Sequence, residues 1–377
     1  MARIGLNAHL YSPQSSYRSA GVSRYIERLL MHLPAVDPGS SYFGWTNGDV
    51  GAWPGWQLSP SGRTGGSPLT RILWEQTGLP RSARALRLDL LHAPVYAGPR
   101  MAPCPQVVTL HDLSFYLYPE LFRRSNRVYL QRATRMTARR AARVIAVSES
   151  TRQDAIRLLD LPAEKVVTIP NGVDTEMRPL PDDAPERQAL RERHGLEGPF
   201  MLYVGTLEPR KNLVTLVEAY GKLIQTHLVP HQLVIGGAKG WFYQSVFERV
   251  EELGLAPDVR FLGYLPQNEL ALWYNLADAF VYPSLYEGFG LPPLEAMACG
   301  TAVITSNVSA LPEVVGQAGI TVDPHDVDGL CEAMWRLVSD QALRRDLGRA
   351  GMERARRFRW IETAQSTARL YHKVLEG

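Results

Sequence analysis

The sequence predicts an α/β protein made of two doubly wound domains in series. Short apolar runs alternate with segments of helical periodicity along most of the 377 residues. A proline-rich stretch interrupts this alternation near the middle, and the alternation then restarts. Alternating strands and helices form parallel sheets with helices on both faces, and the length suits two ordinary domains.

The first half predicts five buried strands and two prominent helices. The strands are expected at residues 4–8, 88–92, 106–110, 144–147 and 166–169. The helices are expected at residues 23–32 and 126–142. These elements place a first domain at residues 1–178.

Residues 179–199 are predicted to be an interdomain linker, because prolines alternate there with charged residues. A second domain at residues 200–358 follows. Its strands are expected at 200–204, 232–235, 259–262, 279–282, 301–305 and 320–322, and its helices at 213–225, 244–253, 269–277, 293–299, 327–338 and 343–356. A last helix, at 363–375, closes the chain.

Composition excludes several classes of protein. Hydrophobic residues make up 45% and charged residues 21% of the chain, which is typical of a folded globular protein. No run of about 18 apolar residues predicts a membrane span, and the N-terminal residues do not resemble a signal peptide. Cys104, Cys299 and Cys331 lack metal-ligand spacing and predict a reduced, cytoplasmic protein. A net charge of +3 does not indicate a nucleic-acid partner.

The strongest motif follows the predicted strand at 279–282. It reads Leu285-Tyr-Glu287-Gly-Phe-Gly290-Leu-Pro-Pro-Leu-Glu295 and leads into a predicted helix. A helix N-terminus bordered by glycines offers N–H groups and a positive dipole end to a phosphate. The carboxylates of Glu287 and Glu295 suit sugar hydroxyls better than a phosphate. A solvated loop charge and a helix-start carboxylate are the alternative interpretations.

A second motif, Gly205-Thr-Leu-Glu-Pro-Arg210-Lys211-Asn212, follows the predicted strand at 200–204. The planar fork of Arg210 and the point charge of Lys211 suit a diphosphate. A solvated basic loop is the alternative.

Two weaker candidates lie in the first half. Gly21 precedes a predicted helix and would let a ligand approach the backbone, whereas the nearby Ser23 could be an ordinary N-cap. His111 ends the strand at 106–110, where side chains face the ligand edge of a parallel sheet. A histidine with a purely structural role is the alternative.

Other motifs are missing or have simpler explanations. The sequence has neither a P-loop nor a Gly-x-Ser-x-Gly elbow. Its Asp-x-Asp, Asp326-Val-Asp328, begins a predicted helix and is better explained by capping. We therefore expect no metal site and no cofactor.

These motifs together resemble the retaining GT-B glycosyltransferases of family 4. The spacing from Glu287 to Glu295 matches that family's E-x7-E signature, and the resemblance extends over nearly the whole chain. Within the family, the motifs are most similar to those of bacterial mannosyltransferases. Ala20 stands before Gly21 where many members have a second glycine.

The resemblance implies two Rossmann-like domains facing across a cleft, with the last segment, 359–377, returning to the first domain. It places Glu287 and His111 near the transferred hexose and Glu295 on the ribose. The diphosphate would lie against Arg210, Lys211 and the backbone N–H groups of Phe289, Gly290 and Leu291. The base would rest near Tyr264 and Leu265, and Gly21 and Gly205 would border the donor.

The predicted activity is a metal-independent, retaining transfer of mannose from GDP-mannose to a glycan or polyprenyl-linked acceptor. Two alternatives stay open. One is a nucleotide-sugar epimerase or hydrolase with the same fold, and the other is a non-catalytic nucleotide-sugar-binding subunit.

Residues 123–143 predict a peripheral contact with the inner face of an anionic membrane. Of the 41 basic residues of the chain, 36 are arginines, and eight of these lie here: Arg123, Arg124, Arg127, Arg132, Arg135, Arg139, Arg140 and Arg143. At helical spacing, Arg132, Arg135, Arg139 and Arg143 fall largely on one side. A solvated arginine-rich helix in a chain from a GC-rich genome is the alternative.

Overall fold

The computed structural model describes residues 1–12, 20–61 and 68–377. The chain forms two compact units. Unit 1 contains Met1–Gly172 and Arg359–Gly377, and unit 2 contains Val173–Phe358. None of the helices within the described residues is both long enough and apolar enough to cross a membrane.

Unit 1 is a seven-stranded parallel sheet in the order β3-β2-β1-β4-β5-β6-β7. Its strands are β1 Arg3–Leu6, β2 Ser41–Thr46, β3 Trp56–Pro60, β4 Leu90–Ala93, β5 Gln106–Leu110, β6 Arg143–Ala146 and β7 Val166–Thr168. Its helices up to residue 172 are α1 Ala20–Val36, α2 Pro68–Ala85, α3 Ser114–Leu117, α4 Arg124–Arg140 and α5 Glu149–Leu159, with 3₁₀ turns at Pro119–Leu121 and Ala163–Lys165.

Unit 2 is a six-stranded parallel sheet in the order β10-β9-β8-β11-β12-β13. Its strands are β8 Phe200–Val204, β9 Gln232–Gly236, β10 Val259–Gly263, β11 Ala279–Tyr282, β12 Val303–Ser306 and β13 Ile320–Val322. Its helices are α6 Pro185–His194, α7 Leu213–His227, α8 Gln244–Glu252, α9 Leu270–Leu276, α10 Leu291–Ala298, α11 Leu311–Val315, α12 Val327–Ser339 and α13 Gln341–Ala355, with 3₁₀ turns at Pro209–Lys211 and Gln267–Glu269.

The last helix, α14 (Trp360–Glu376), returns to unit 1 and packs on α1. The Tyr371 hydroxyl lies 2.6 Å from His92 Nδ1, and Thr363 donates a 2.7 Å hydrogen bond to the carbonyl of Pro170. Gly172 has no room for a side chain, because a Cβ there would lie 2.1 Å from the backbone nitrogen of Trp360.

The predicted linker at 179–199 differs from what the structure shows. The unit boundary lies earlier, between Gly172 and Val173. Residues 185–194 form α6, which starts with a proline in its first turn, ends at the left-handed Gly195 and buries Leu190. The prolines that indicated a linker therefore mark a helix start and its flanking turns.

Candidate functional site

The strand order of unit 2 reverses between β8 and β11. From β8 the sheet continues to β9 and β10 on one side, and from β11 to β12 and β13 on the other. A reversal of this kind leaves a ligand-binding crevice beyond the carboxyl ends of the two central strands. Residues 205–212 follow β8 and residues 283–290 follow β11, so the two strongest motifs lie side by side.

Arg210, Lys211 and Glu287 form a buried ion-pair cluster at this crevice. The Glu287 carboxylate pairs with both cations: its Oε1 accepts a 2.6 Å hydrogen bond from Lys211 Nζ, and its Oε2 lies 3.1 Å from Arg210 Nη1. Glu208 holds the other side of the guanidinium, 2.8 Å from Nη2. Two positive and two negative charges are thus fixed in one network.

Further contacts lock the two loops together. Lys211 Nζ donates to the Tyr282 hydroxyl at 2.8 Å, and the Tyr282 ring stacks on Tyr203 at 5.6 Å. Arg210 also donates to the backbone carbonyl of Tyr286. The Glu287 N–H donates to Ser309 Oγ at 2.9 Å. The cations are therefore positioned before any ligand arrives.

Burial and charge oppose each other in this cluster. Burial favours a neutral Glu287, but the neighbouring Arg210 and Lys211 outweigh it and lower the pKa of this carboxyl to about 2. Burial, followed by the charge of Arg210, lowers the pKa of Lys211. Glu287 is consequently ionised throughout the neutral range.

Gly290 sets the entry into α10. Its φ is +109°, a region open to glycine, and a Cβ there would lie 2.9 Å from the side chain of Leu311. Pro292 and Pro293 carry no N–H, so the backbone donors at this helix start come from Leu291 and the residues before it. The Phe289 ring packs against Phe358 and fixes the approach to this turn.

Glu295, on α10, is held by a neutral donor. It is 2% exposed, and its Oε2 accepts a 2.9 Å hydrogen bond from the hydroxyl of Tyr274 on α9. A buried carboxylate held by a neutral donor can accept hydrogen bonds from ligand hydroxyls.

Glycines bring the ends of β8, β9 and β10 close together. The Gly205 N–H bonds to the Gly236 carbonyl at 2.9 Å, and a Cβ on Gly237 would lie 1.8 Å from the Gly205 carbonyl oxygen. Leu265 is buried and covers Gly236, whereas Tyr264 is 41% exposed beyond the end of β10. Strand spacing puts β10 about 10 Å from β8, far enough to separate a base from a diphosphate.

In unit 1, His111 follows β5 and is held in its neutral form. Its Nε2 lies 2.8 Å from the Pro94 carbonyl, which can only accept, so Nε2 carries the proton. The ring meets Tyr25 edge-on at 4.9 Å. Burial lowers the pKa of His111, which keeps the imidazole uncharged at neutral pH.

Gly21 lies exposed in the first turn of α1. The helix begins earlier than predicted, so Ser23 is inside it and is not an N-cap. Its hydroxyl instead contacts the backbone of Ser12, accepting from the N–H at 3.1 Å.

The Asp-x-Asp pair serves helix α12. Asp326 is its N-cap and accepts a 2.8 Å hydrogen bond from the Gly329 N–H, and Asp328 pairs with Lys222. Within residues 1–12, 20–61 and 68–377, no three His, Cys, Asp or Glu side chains form a group that could hold a metal ion.

The sequence motifs indicate no role for five residues of this network: Glu208, Tyr203, Tyr282, Tyr274 and Ser309. Glu208 lies within the motif at residues 205–212. Its position two residues before Arg210 is the local feature that could have indicated an ion pair. Tyr274 and Ser309 are distant in the chain from the glutamates they support, and no local pattern indicates them.

The arginine-rich segment also differs from its prediction in one respect. Helix α4 ends at Arg140, and Arg143 begins β6 and donates to the carbonyl of Ala142. Arg143 is therefore not part of the helical arginine row. Arg139 is paired with Asp160 at 2.9 Å.

Comparison with known proteins identifies the family. Residues 186–354 match the family model for glycosyl transferases group 1, and residues 20–177 match that for glycosyltransferase family 4. O-antigen chain mannosyltransferase B of Escherichia coli is 35% identical over 267 residues, covering 70% of this chain and 69% of that protein. The serotype-specific mannosyltransferase WbdA of Escherichia coli is 32% identical over 240 residues, which cover 63% of this chain and 29% of WbdA.

The fold class is confirmed by solved structures. A sucrose-phosphate synthase from Thermosynechococcus elongatus superposes with a TM-score of 0.82 at 24% identity and covers 100% of both chains. One conclusion follows from the two parallel-sheet Rossmann-like units, the two family matches and the 35% identical relative. This chain belongs to the group 1, family 4 glycosyltransferases of the GT-B fold class.

Proposed function

We propose that this glycosyltransferase moves mannose from GDP-mannose to a glycan or polyprenyl-linked acceptor. The observation that carries the proposal is the cation pair Arg210 and Lys211, fixed at the strand reversal of unit 2 beside the start of α10. The choice of mannose is supported by the two mannosyltransferase relatives.

Each side chain of the cluster has a proposed task. Negative charge grows on the diphosphate as the bond to the sugar breaks, and Arg210 and Lys211 stabilise it, helped by N–H groups at the start of α10. Glu287, which pairs with both cations, would contact the transferred hexose. Glu295 accepts the ribose hydroxyls. The uncharged His111 would contact the hexose.

The donor base is tested by calorimetric titration with GDP, UDP and ADP. We expect GDP to bind at least tenfold more tightly than UDP, a difference of about 1.4 kcal/mol. UDP binding tenfold more tightly than GDP would contradict the proposed donor.

We propose that the transfer retains the anomeric configuration and needs no divalent metal. The C1–O bond to the diphosphate breaks, a bond from C1 to the acceptor oxygen forms on the same face, and the leaving phosphate takes the acceptor's proton. Arg210 and Lys211 supply the positive charge for which other transferases use a cation. Activity should survive excess EDTA, and NMR should show an α-mannoside made from the α-linked donor. A β product would overturn the stereochemical proposal.

Donor consumption with and without an acceptor separates the alternative functions. An epimerase or hydrolase would consume GDP-mannose without an acceptor, and a binding subunit would bind GDP without turnover. A transferase requires the acceptor for full turnover. Donor consumption should therefore be followed with and without mannosylated glycans.

We also propose that α4 attaches the protein peripherally to the inner, anionic face of a membrane. The helix has no acidic residue. Its exposed arginines are Arg124, Arg132, Arg135, Arg139 and Arg140, and Arg123 is exposed just before it. Cations beside anionic lipid contribute about 1 kcal/mol each, which suits salt-reversible binding and an acceptor carried on a lipid.

Liposome sedimentation tests this attachment. Vesicles with anionic lipid should retain the protein at low salt, and the combined change Arg124→Gln, Arg132→Gln and Arg135→Gln should abolish retention. The combined change Arg345→Gln, Arg349→Gln and Arg357→Gln, at three exposed arginines of unit 2, is the matched control. Equal binding to neutral and anionic vesicles would contradict the proposal.

A further inference from the structure

A second polar cluster lies in unit 1, apart from the donor motifs. The sheet of unit 1 reverses its strand order between β1 and β4, so a ligand crevice is expected beyond the carboxyl ends of these strands. Asn7 and His9 follow β1 directly. His111 follows β5, which is two strands from β1 and so about 10 Å away along the same edge.

Helix α2 supplies the other half of the cluster. Asn7 Nδ2 donates to Glu75 Oε1 at 3.3 Å, and the His9 N–H lies 3.4 Å from Asn7 Oδ1. The His9 ring stacks on Trp74 with centroids 5.5 Å apart. Arg71 Nε lies 3.8 Å from Glu75 Oε1, beyond hydrogen-bond distance.

Two buried polar atoms of this cluster have no hydrogen-bond partner. His9 is 8% exposed, and its Nδ1 makes no hydrogen bond; Arg71 Nε makes none either. Leaving a buried polar group without a hydrogen bond is destabilising, so such groups persist where a ligand or water satisfies them. Their place at the strand reversal favours a ligand.

The charges of the cluster balance. Arg71 and Glu75 carry opposite charges, and burial together with Arg71 lowers the pKa of His9, which keeps its ring neutral. An anion approaching Arg71 would meet the Glu75 carboxylate. A neutral ligand with several hydroxyls can instead donate to Glu75 and His9 and accept from Arg71.

We propose that Asn7, His9, Arg71 and Glu75 form the subsite for the terminal sugar of the acceptor glycan, an uncharged hexose bound through its hydroxyls. Trp74 forms a rigid wall behind His9, because it also packs against Trp45. The subsite rests on the proposed function in one respect, namely that the acceptor is a glycan. In the proposed subsite, Glu75 and His9 determine acceptor specificity.

Titration of protein carrying ¹⁵N-labelled histidine tests the subsite. Methyl α-mannoside should shift the ¹⁵N resonance of His9 Nδ1, because that nitrogen gains a hydrogen bond. Inorganic phosphate should leave it unchanged. Glu75→Gln should raise the dissociation constant of methyl α-mannoside about tenfold, the loss of a hydrogen bond to a charged group, and leave GDP affinity within about twofold.

Glu120→Gln, which changes an exposed carboxylate of unit 1, is the matched control and should bind methyl α-mannoside like wild type. If Glu75→Gln fails to fold, His9→Gln tests the same contact. A His9 resonance that responds to phosphate but not to the mannoside would overturn the subsite. The subsite would also be overturned if wild-type protein does not bind methyl α-mannoside, or if folded Glu75→Gln binds it as tightly as wild type. A wrong donor proposal would give a different result: wild-type protein would then fail to bind GDP or to transfer mannose.

Discussion

The carboxyl edges of the two sheets share a topology and differ in their electrostatics. Both sheets reverse between their first and fourth strands. Unit 2 fills that position with ionised Arg210, Lys211 and Glu287, whereas unit 1 has buried histidines at the ends of its strands. Burial lowers the pKa of His9 and His111 and lowers that of His92 to about 3.

The difference suits the two sheet edges to different kinds of ligand. A network of fixed charges suits an anion such as a diphosphate, because its cations are already desolvated and oriented. In unit 1 the neutral imidazole of His9 and the Arg71–Glu75 pair offer the donors and acceptors that hydroxyl groups use.

The largest effect is expected for Lys211→Ala. Charge on the diphosphate grows as the sugar leaves, so turnover should fall about 10²- to 10³-fold, roughly 2.7–4 kcal/mol, and GDP affinity should fall less. Lys222→Ala, which removes a lysine from an exposed pair with Asp328, is the control and should behave like wild type. Steady-state kinetics measures turnover, and calorimetry measures GDP affinity. Normal turnover in Lys211→Ala would refute the proposed role of Lys211.

Glu295→Ala should weaken donor binding more than it slows turnover. Ribose hydroxyls lose a charged acceptor worth about 1.5–3 kcal/mol, or about 10- to 150-fold in affinity. Tyr274→Phe, which removes the donor to Glu295, should cost about 1 kcal/mol or less. Both are measured by GDP calorimetry. Unchanged affinity in Glu295→Ala would exclude a ribose contact.

His111→Ala tests the role of the neutral His111 side chain at the carboxyl edge of the unit 1 sheet. Removing one hydrogen-bonding group near the hexose should lower turnover about tenfold, or about 1.4 kcal/mol, and leave GDP affinity nearly intact. Kinetics should be compared with the melting temperature. A large loss of folded protein would show that His111 mainly packs against Tyr25 and Pro94.

The smallest effect concerns stability in mild acid. His92 has a folded pKa of about 3 against about 6.5 in an unfolded chain. Its stabilising contribution is therefore complete above pH 6.5 and is lost as the pH falls from 6.5 towards 3, by at most about 1.4 kcal/mol per pH unit. Glu287 has a folded pKa of about 2. Its contribution to folding stability is complete above about pH 4.3 and is lost only as the pH falls towards 2.

Urea denaturation at pH 6.5 and 5.5 measures this difference. Wild-type protein should lose more stability over this interval than His92→Gln, which lacks the buried imidazole. Equal losses in the two proteins would mean that His92 is not held neutral by Tyr371 and Thr109.

The layered α/β architecture and many strand positions can be predicted from the sequence. The strands at 200–204, 279–282 and 320–322 have the predicted bounds, because each is a short apolar run ended by turn residues. The motifs around Glu287 and Arg210 were likewise visible locally. Helix α2 and strands β2 and β3 were not predicted; Trp56–Pro60 is partly exposed and ends in proline, so it has no buried-strand pattern.

Which side chains contact each other depends on the folded chain as a whole. Lys211 and Glu287 are 76 residues apart, and their ion pair exists because β8 and β11 are neighbours in the sheet. The same holds for Asn7 and Glu75, 68 residues apart. Strand order and burial are properties of the whole chain, and they set both the contacts of these side chains and their pKa values. Local sequence patterns report on single elements and cannot carry that information.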